Sequence, residues 1–321
     1  AGCHGDQVRE LGVRTSADIG RIASNVVIQQ PGGEGSVANI SFRGIGLNDY
    51  STNNSGPNGL YLDDVYLSTP VAQTFPLFDL DRVEVLKGPQ GTLYGRNTSG
   101  GAINFITRRP TEEFEGYANF AYSSFNTANL EGAFSGPVSS TLSARLSYNF
   151  VQSEGYGYNS FTNRKENGAS NQAARLQLLY KPTDRLSVLL SGNYYRTENR
   201  SVRFRHVGTL DPDTFAPCDA TRVRAGECVD LFGFGTSPDF YDVSSNRQQS
   251  LRGEIYGGSA RIDYDLGTIK LTSLSGYIHT SRNYPEDSDA IPARLVELDF
   301  VTASDTFTQE VRASFGRGPL T

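Results

Sequence analysis

Residues 142–150 alternate without a break, with Leu142, Ala144, Leu146, Tyr148 and Phe150 on one side and Ser143, Arg145, Ser147 and Asn149 on the other. Successive side chains of a strand point to opposite faces, so the segment reads as a β-strand with one apolar and one polar face. Ala260, Ile262, Tyr264 and Leu266 alternate in the same way with Arg261, Asp263 and Asp265. Two architectures use such strands. A soluble sandwich turns the apolar face inward, whereas a transmembrane barrel turns it to lipid and the polar face to the lumen. Alternation by itself does not choose between them.

Connection lengths do. Strands are expected at 115–123, 128–138, 141–152, 174–181, 186–197, 253–266, 268–280 and 305–315. The links after the second, fourth and sixth are tight (139–140, 182–185 and 267), and those after the third, fifth and seventh are long (153–173, 198–252 and 281–304). Outer-membrane barrels alternate short inner turns with long external loops in this way. Compact sandwiches seldom carry three long structureless loops on one side. Tyr148, Phe150, Tyr180, Tyr194, Tyr195 and Tyr277 near strand ends suit an aromatic girdle, although β-propensity accounts equally for any one of them.

Composition narrows the function. An apolar share of 37% in 321 residues is low for a large soluble core. No stretch approaches the roughly 18 apolar residues of a membrane helix, which leaves a barrel open. A net charge of -6, with basic residues scattered, speaks against a nucleic-acid partner. The chain has no Met and no secretory leader pattern, so a fragment or a processed product is expected. His4, His206 and His279 are widely spaced and lie in no metal-ligand pattern. No Ser/His/Asp or Cys/His set stands out, and neither enzyme chemistry nor a cofactor is expected.

The first 111 or so residues have a different texture, short-segmented and rich in Gly and Asn. One helix is expected near 16–24, capped by Ser16, followed by β runs at 26–29, 38–43, 59–67, 81–86 and 102–107. In the last two runs, Lys87-Gly88-Pro89 stops the first and Gly100-Gly101 feeds the second, with Gly91, Tyr94 and Gly95 in the turn between. Glycine permits close approach and proline halts a ladder, so these are two short strands joined by a compact turn.

Residues 77–110, LFDLDRVEVLKGPQGTLYGRNTSGGAINFITRRP, resemble the plug signature of TonB-dependent outer-membrane receptors. Two earlier blocks resemble the same family in order and spacing, ISFRGIG at 40–46 and GLYLDDVYL at 59–67, the latter with Asp63-Asp64 where the family usually has Asp-Gly. FTQEVRA at 307–313, with Glu310, resembles an early barrel strand of these receptors. The resemblance implies a mainly β chain: a small α+β plug domain at 1–112, then at 113–321 an incomplete antiparallel transmembrane β-barrel, about eight strands of a larger one. Eight strands are too few to enclose such a plug, since plugged barrels have about 22.

The family reading implies a receptor in the outer membrane of a Gram-negative bacterium, surrounded by outer-membrane lipid. It would bind an external small molecule, a ferric siderophore or similar metal chelate, and import it when a TonB-type energy transducer pulls on the plug. No short apolar box for that partner precedes Gly12. In related receptors basic plug residues meet barrel carboxylates, which implies plug-locking roles for Arg43 and Lys87, with the partner glutamates expected in later strands than these. Arg82 and Glu84, on one face of a strand, read either as a local pair or as contacts to the wall. Ligand contacts are expected from Asn48, Asp49, Tyr50, Asn53 and Asn54 in the plug loop, and from Arg203, Arg205, Phe232, Phe234 and Tyr241 in the long barrel loop. Cations beside aromatic faces suit an anionic, ring-bearing ligand, and a solvated loop with self-packed aromatics is the plainer account. In the compartment implied, Cys218 and Cys228, with nine residues between them, read as a loop-closing disulfide, two free thiols being the alternative. Cys3 has no visible partner. The same architecture would also serve import of an oligosaccharide, an aromatic compound or cobalamin. A non-transporting adhesin or lectin-like module is the rival from another class.

Overall fold

The computed structural model describes residues 2–31, 36–47, 54–200, 204–237 and 239–315. The first part runs β1 (Gly2–His4), α1 (Gly5–Glu10), a 3-10 turn (Ser16–Asp18) continuing into α2 (Ile19–Ile22), then β2 (Val26–Gln29), β3 (Asn39–Phe42) and β4 (Ile45–Gly46). It goes on through β5 (Asn58–Leu62), β6 (Val65–Tyr66), β7 (Leu80–Lys87), α3 (Gly91–Tyr94) and β8 (Gly101–Thr107). A five-stranded sheet in the order β1-β7-β8-β5-β6 and a three-stranded sheet β2-β3-β4 enclose a core built on Ile19, Phe42, Leu60, Ile103 and Phe105. The helical turn is capped by Thr15 rather than Ser16: the Asp18 carboxylate accepts from the Thr15 N–H at 2.9 Å, completing a capping box. Ser16 instead donates to the Gln73 carbonyl at 2.6 Å.

Residues 59–67, expected as one strand, fold as a hairpin. Asp63 and Asp64 both have positive φ, 49° and 69°, as a tight turn that matches strand twist requires. That turn returns Leu67 N–H to the Leu60 carbonyl at 2.8 Å.

The second part is a wall of β9 (Glu115–Ser123), β10 (Thr127–Pro137) and β11 (Leu142–Ser153), with a small external hairpin of β12 (Gly157–Asn159) and β13 (Arg164–Glu166). Then come β14 (Ala169–Thr183), β15 (Leu186–Asn199), α4 (Ala220–Ala225), β16 (Asp242–Val243), β17 (Leu251–Asp265), β18 (Ile269–Asp287) and β19 (Glu297–Phe315). Eight of these strands form one antiparallel sheet in the order β19-β18-β17-β15-β14-β11-β10-β9. The strands expected at 174–181, 268–280 and 305–315 run longer, to 19 residues each in β18 and β19. About 9–11 residues suffice to span, so the longest strands project past a bilayer. The external link between β18 and β19 is correspondingly short, and the link between β15 and β17 carries α4 and β16.

The two faces of the wall answer the question that alternation leaves open. Ser143, Arg145, Ser147 and Asn149 are buried at 1–6% exposure, while their neighbours Leu146, Tyr148 and Phe150 are 52%, 36% and 36% exposed. A water-soluble sandwich would show the reverse. Polar side chains face the first part of the chain and apolar ones face outward, as in a barrel wall. Tyr195 is an exception to the expected girdle, because it faces inward at 7% exposure and packs against Phe75 and Phe78. The core is shared across the two parts: Ala173 and Tyr195 of the wall belong to it, with Ile255 and Ile278 at its edge. Close approach also needs glycine at Gly276, where a Cβ would lie 2.6 Å from Val65 Cγ1.

Candidate functional site

Two regions combine sites with named chemistry: the contact between the leading domain and the wall, and the external mouth. At the contact, Asp79 sits between Phe78 and β7 in a positive-φ conformation of 51°. Its carboxylate accepts two hydrogen bonds from Arg145, at 2.7 Å from Nε and 2.6 Å from Nη2, with the two side chains 0% and 2% exposed. The third guanidinium nitrogen of Arg145 donates to Glu115 at 2.7 Å. A bidentate fork between charged groups is a strong and geometrically specific pairing, and without Arg145 the buried Asp79 carboxylate is left uncompensated.

Three further contacts continue the seam. Arg261 on β17 donates to Asp64 at 2.8 Å and to Asp263 at 2.9 Å, and Asp64 also accepts from Asn104 at 2.7 Å. Arg175 on β14 is buried, with its guanidinium 4.6 Å from the Phe78 ring and 2.8 Å from Asn193 Oδ1. Gln177 donates to Thr107 at 2.9 Å, and Thr107 in turn donates to the Asp63 carboxylate. Burial pushes the Asp63 carboxyl above the usual carboxylate range, with Arg175 and the Thr107 hydrogen bonds pulling the other way.

The seam has a definite polarity. Among the described residues its ion pairs join plug carboxylates to wall arginines. Arg43 lies exposed in the turn between β3 and β4 with φ of 50°, and Lys87 donates to Ser24 at 2.8 Å, so neither meets a wall carboxylate among the described residues. Arg82 binds Glu84 at 2.8 Å and Asp81 at 2.6 Å, a local surface group. Glu310 pairs with Arg312 on its own strand. Asp79 and Arg145 were missed, yet a lone arginine among serines on the polar face of β11 is a signal that a buried partner must exist.

At the mouth, a cavity of about 790 Å³ opens between the leading domain and β9–β11 and β14. Asp6, Arg9 and Arg14 line one side, and Asn129, Glu131 and Asn149 the other. Its rim includes Phe125 and Tyr156, which begin a run of rings: Phe125 to Tyr156 at 5.7 Å, Tyr156 to Tyr241 at 5.2 Å, and Tyr241 to Phe240 at 5.3 Å. The Arg205 guanidinium ends the run, 5.3 Å from the Phe240 ring centre. Four largely exposed rings and a cation form one platform; Arg205 and Tyr241 of the expected ligand residues are in it, and Phe125, Tyr156 and Phe240 are additions. Phe232 and Phe234 lie instead in a turn ordered by Asp230, whose carboxylate accepts both their N–H groups at 2.8 Å. Asn54 is exposed, while Asn48, Asp49, Tyr50, Asn53 and Arg203 lie outside the described residues. Cys218 and Cys228 form a disulfide that closes the loop carrying α4, and Cys3 is a free thiol. Among the described residues no three His, Cys, Asp or Glu side chains converge to hold a metal ion.

A leading domain pinned by ion pairs to the polar face of an apolar-coated wall has the arrangement of a plug inside an outer-membrane barrel. Residues 3–102 match the family model of the TonB-dependent receptor plug domain. Residues 3–102 thus carry a TonB-dependent receptor plug domain, and the chain as a whole has the fold of the first part of such a receptor, its barrel incomplete. It is 34% identical to the pesticin receptor of Yersinia pestis over 140 residues, 42% of this chain and 20% of that protein. It is 24% identical to the vitamin B12 transporter BtuB of Vibrio vulnificus over 192 residues, 58% of this chain and 30% of that protein. The fold superposes on the ferric yersiniabactin uptake receptor FyuA from Yersinia pestis with a TM-score of 0.77 at 19% identity, covering 99% of this chain and 46% of that one. The chain thus spans less than half the length of the receptors it matches.

Proposed function

We propose that this chain is the plug, residues 1–112, and part of the barrel, residues 113–321, of a receptor that imports an external ligand across the outer membrane of a Gram-negative bacterium. The observation that carries the reading is the polarity of the wall: apolar side chains outward, arginines inward onto plug carboxylates. Import requires no covalent chemistry. A TonB-type transducer supplies force to the plug, and the ion pairs along the seam decide which part of it yields.

For the ligand, the run from Phe125 to Arg205 favours an anionic molecule with flat rings, a ferric siderophore or similar chelate. Ring faces stack on the ligand and the guanidinium answers its charge. Similar receptors that by name take up ferric yersiniabactin or bind pyoverdine support the same class. Uptake of radioactive iron from a panel of ferric chelates, in cells with and without the intact gene and with the membrane potential collapsed, tests the reading. Energy-dependent uptake of one chelate that needs the gene is expected. Gene-dependent uptake of an oligosaccharide or cobalamin, with no chelate transported, would keep the transporter and overturn the cargo.

A further inference from the structure

The aromatic platform is held together by two residues of pairing. Strand β12 runs parallel to β16, Tyr158 beside Asp242 and Asn159 beside Val243, and this places Tyr156 against Tyr241. Asn159 reinforces the join from below: its amide donates to the Ser245 carbonyl at 2.9 Å and its oxygen accepts from Ser245 N–H at 3.3 Å. The other edge of β12 pairs with β13, Gly157 opposite Glu166.

Glu166 is the anomaly in this small sheet. Its side chain is 1% exposed, and neither carboxylate oxygen has a hydrogen-bond partner. The charged groups that act on it are Arg200 and Arg164, with Asn159 the polar one. Both guanidinium groups are engaged elsewhere, Arg200 with the Glu154 carbonyl at 3.1 Å and Arg164 with Gln248 at 2.8 Å. Neighbouring Lys165 pairs with Glu154 at the surface. The backbone opposite is closely packed: at Gly157 a Cβ would lie 2.8 Å from both Asn167 Nδ2 and the Tyr241 carbonyl and 3.5 Å from Glu166 Cβ. A carboxylate held this way, out of water and with Asn159 and the two arginines helping it only weakly, is tolerated as the neutral acid and opposed as the anion.

We propose that Glu166 is a proton-operated latch of the external loops: protonated, it keeps the β13-β12-β16 sheet closed and the rings assembled, and on ionisation it loosens both. Burial raises its carboxyl to about 7, with Arg200, Asn159 and Arg164 pulling down less strongly. The folded acid therefore holds its proton above the ordinary value of 4.5, and the stability of the sheet is greatest below that value and falls as pH climbs from there through about 7. Near-neutral surroundings lie on the steep part of the curve, so a modest acidification would tighten the platform. That consequence for ligand capture rests on the proposed function; the latch itself does not.

Amide hydrogen exchange of the full-length receptor in detergent, without ligand, reads the latch directly. In the wild type, protection of residues 157–166 and 242–245, corrected for intrinsic exchange, is expected to fall about tenfold to a hundredfold between about pH 5 and about pH 8. Glu166→Gln, which mimics the neutral acid, should hold the acid-state protection across the range. Equal pH dependence in the two proteins, or a flat profile in the wild type, would overturn the proposal. Infrared difference spectra give a second readout: a protonated carboxyl band that titrates near neutrality is expected in the wild type and not in Glu166→Gln, which separates it from buried Asp63, and a band unchanged in the variant or absent from the wild type would overturn the proposal as well.

Discussion

Asp79 of the plug and Arg145 of the wall share two hydrogen bonds of 2.7 and 2.6 Å with both side chains out of solvent. Removing Arg145 strands the buried Asp79 carboxylate, at a cost of ~3–5 kcal/mol, whereas removing Asp79 leaves Arg145 its half-exposed partner Glu115 and costs less. Asp79→Ala is therefore expected to lower the denaturant midpoint for release of the plug from the wall, and Arg145→Met to do likewise. The double variant Asp79→Leu/Arg145→Met should recover most of the loss. Additive losses in the double variant would show that the two residues act independently.

Asp64 occupies a position with φ of 69° where glycine is conformationally cheapest, and its carboxylate binds Arg261 and Asn104. Two substitutions separate the backbone from the charge. Asp64→Gly loses the contacts and relieves the backbone; Asp64→Ala loses the contacts and keeps the strain. Thermal unfolding should rank wild type above Gly and Gly above Ala, the last two differing by about 1 kcal/mol. Arg261 retains Asp263 in both, which limits the total effect.

Leu176 lies beside Leu146 in the ladder, both 49–52% exposed on the outward face. Leu176→Arg is expected to impair insertion into lipid by about 2–4 kcal/mol if it sits at the midplane. Folding yield in vesicles against urea measures this. An unaltered yield would place that face out of contact with hydrocarbon.

Tyr241 and Tyr156 connect the aromatic run to the cavity rim. Tyr156→Ala and Arg205→Ala should each weaken binding of the transported chelate by about 0.5–2 kcal/mol in titration calorimetry. Phe232→Ala, in the Asp230 turn, should leave affinity unchanged.

Much of the wall was legible because the bilayer imposes a period of two that the chain cannot hide. The strand expected at 115–123 is found at Glu115–Ser123, and all eight wall strands appear in the expected order. The outer end of β18 was not legible, since Ser281-Arg282-Asn283 and Pro285-Glu286-Asp287 read as loop, while the start of β19, where Leu298 and Phe300 alternate with Glu297 and Asp299, carried a pattern that was missed. The strands β12 and β16 were missed because two- and three-residue pairings are set by tertiary contact, here Asn159 with Ser245, rather than by pattern. Asp79 escaped notice because its partner lies 66 residues away, and no local rule links the two.

The central claim is that the apolar side of the strands faces lipid while the plug covers the polar side, and adjacent residues of β11 test it. With a fluorophore on Leu146→Cys or Ser147→Cys in full-length receptor reconstituted with spin-labelled lipid, quenching is expected at 146 and not at 147. Quenching at 147 with protection at 146 would contradict the account.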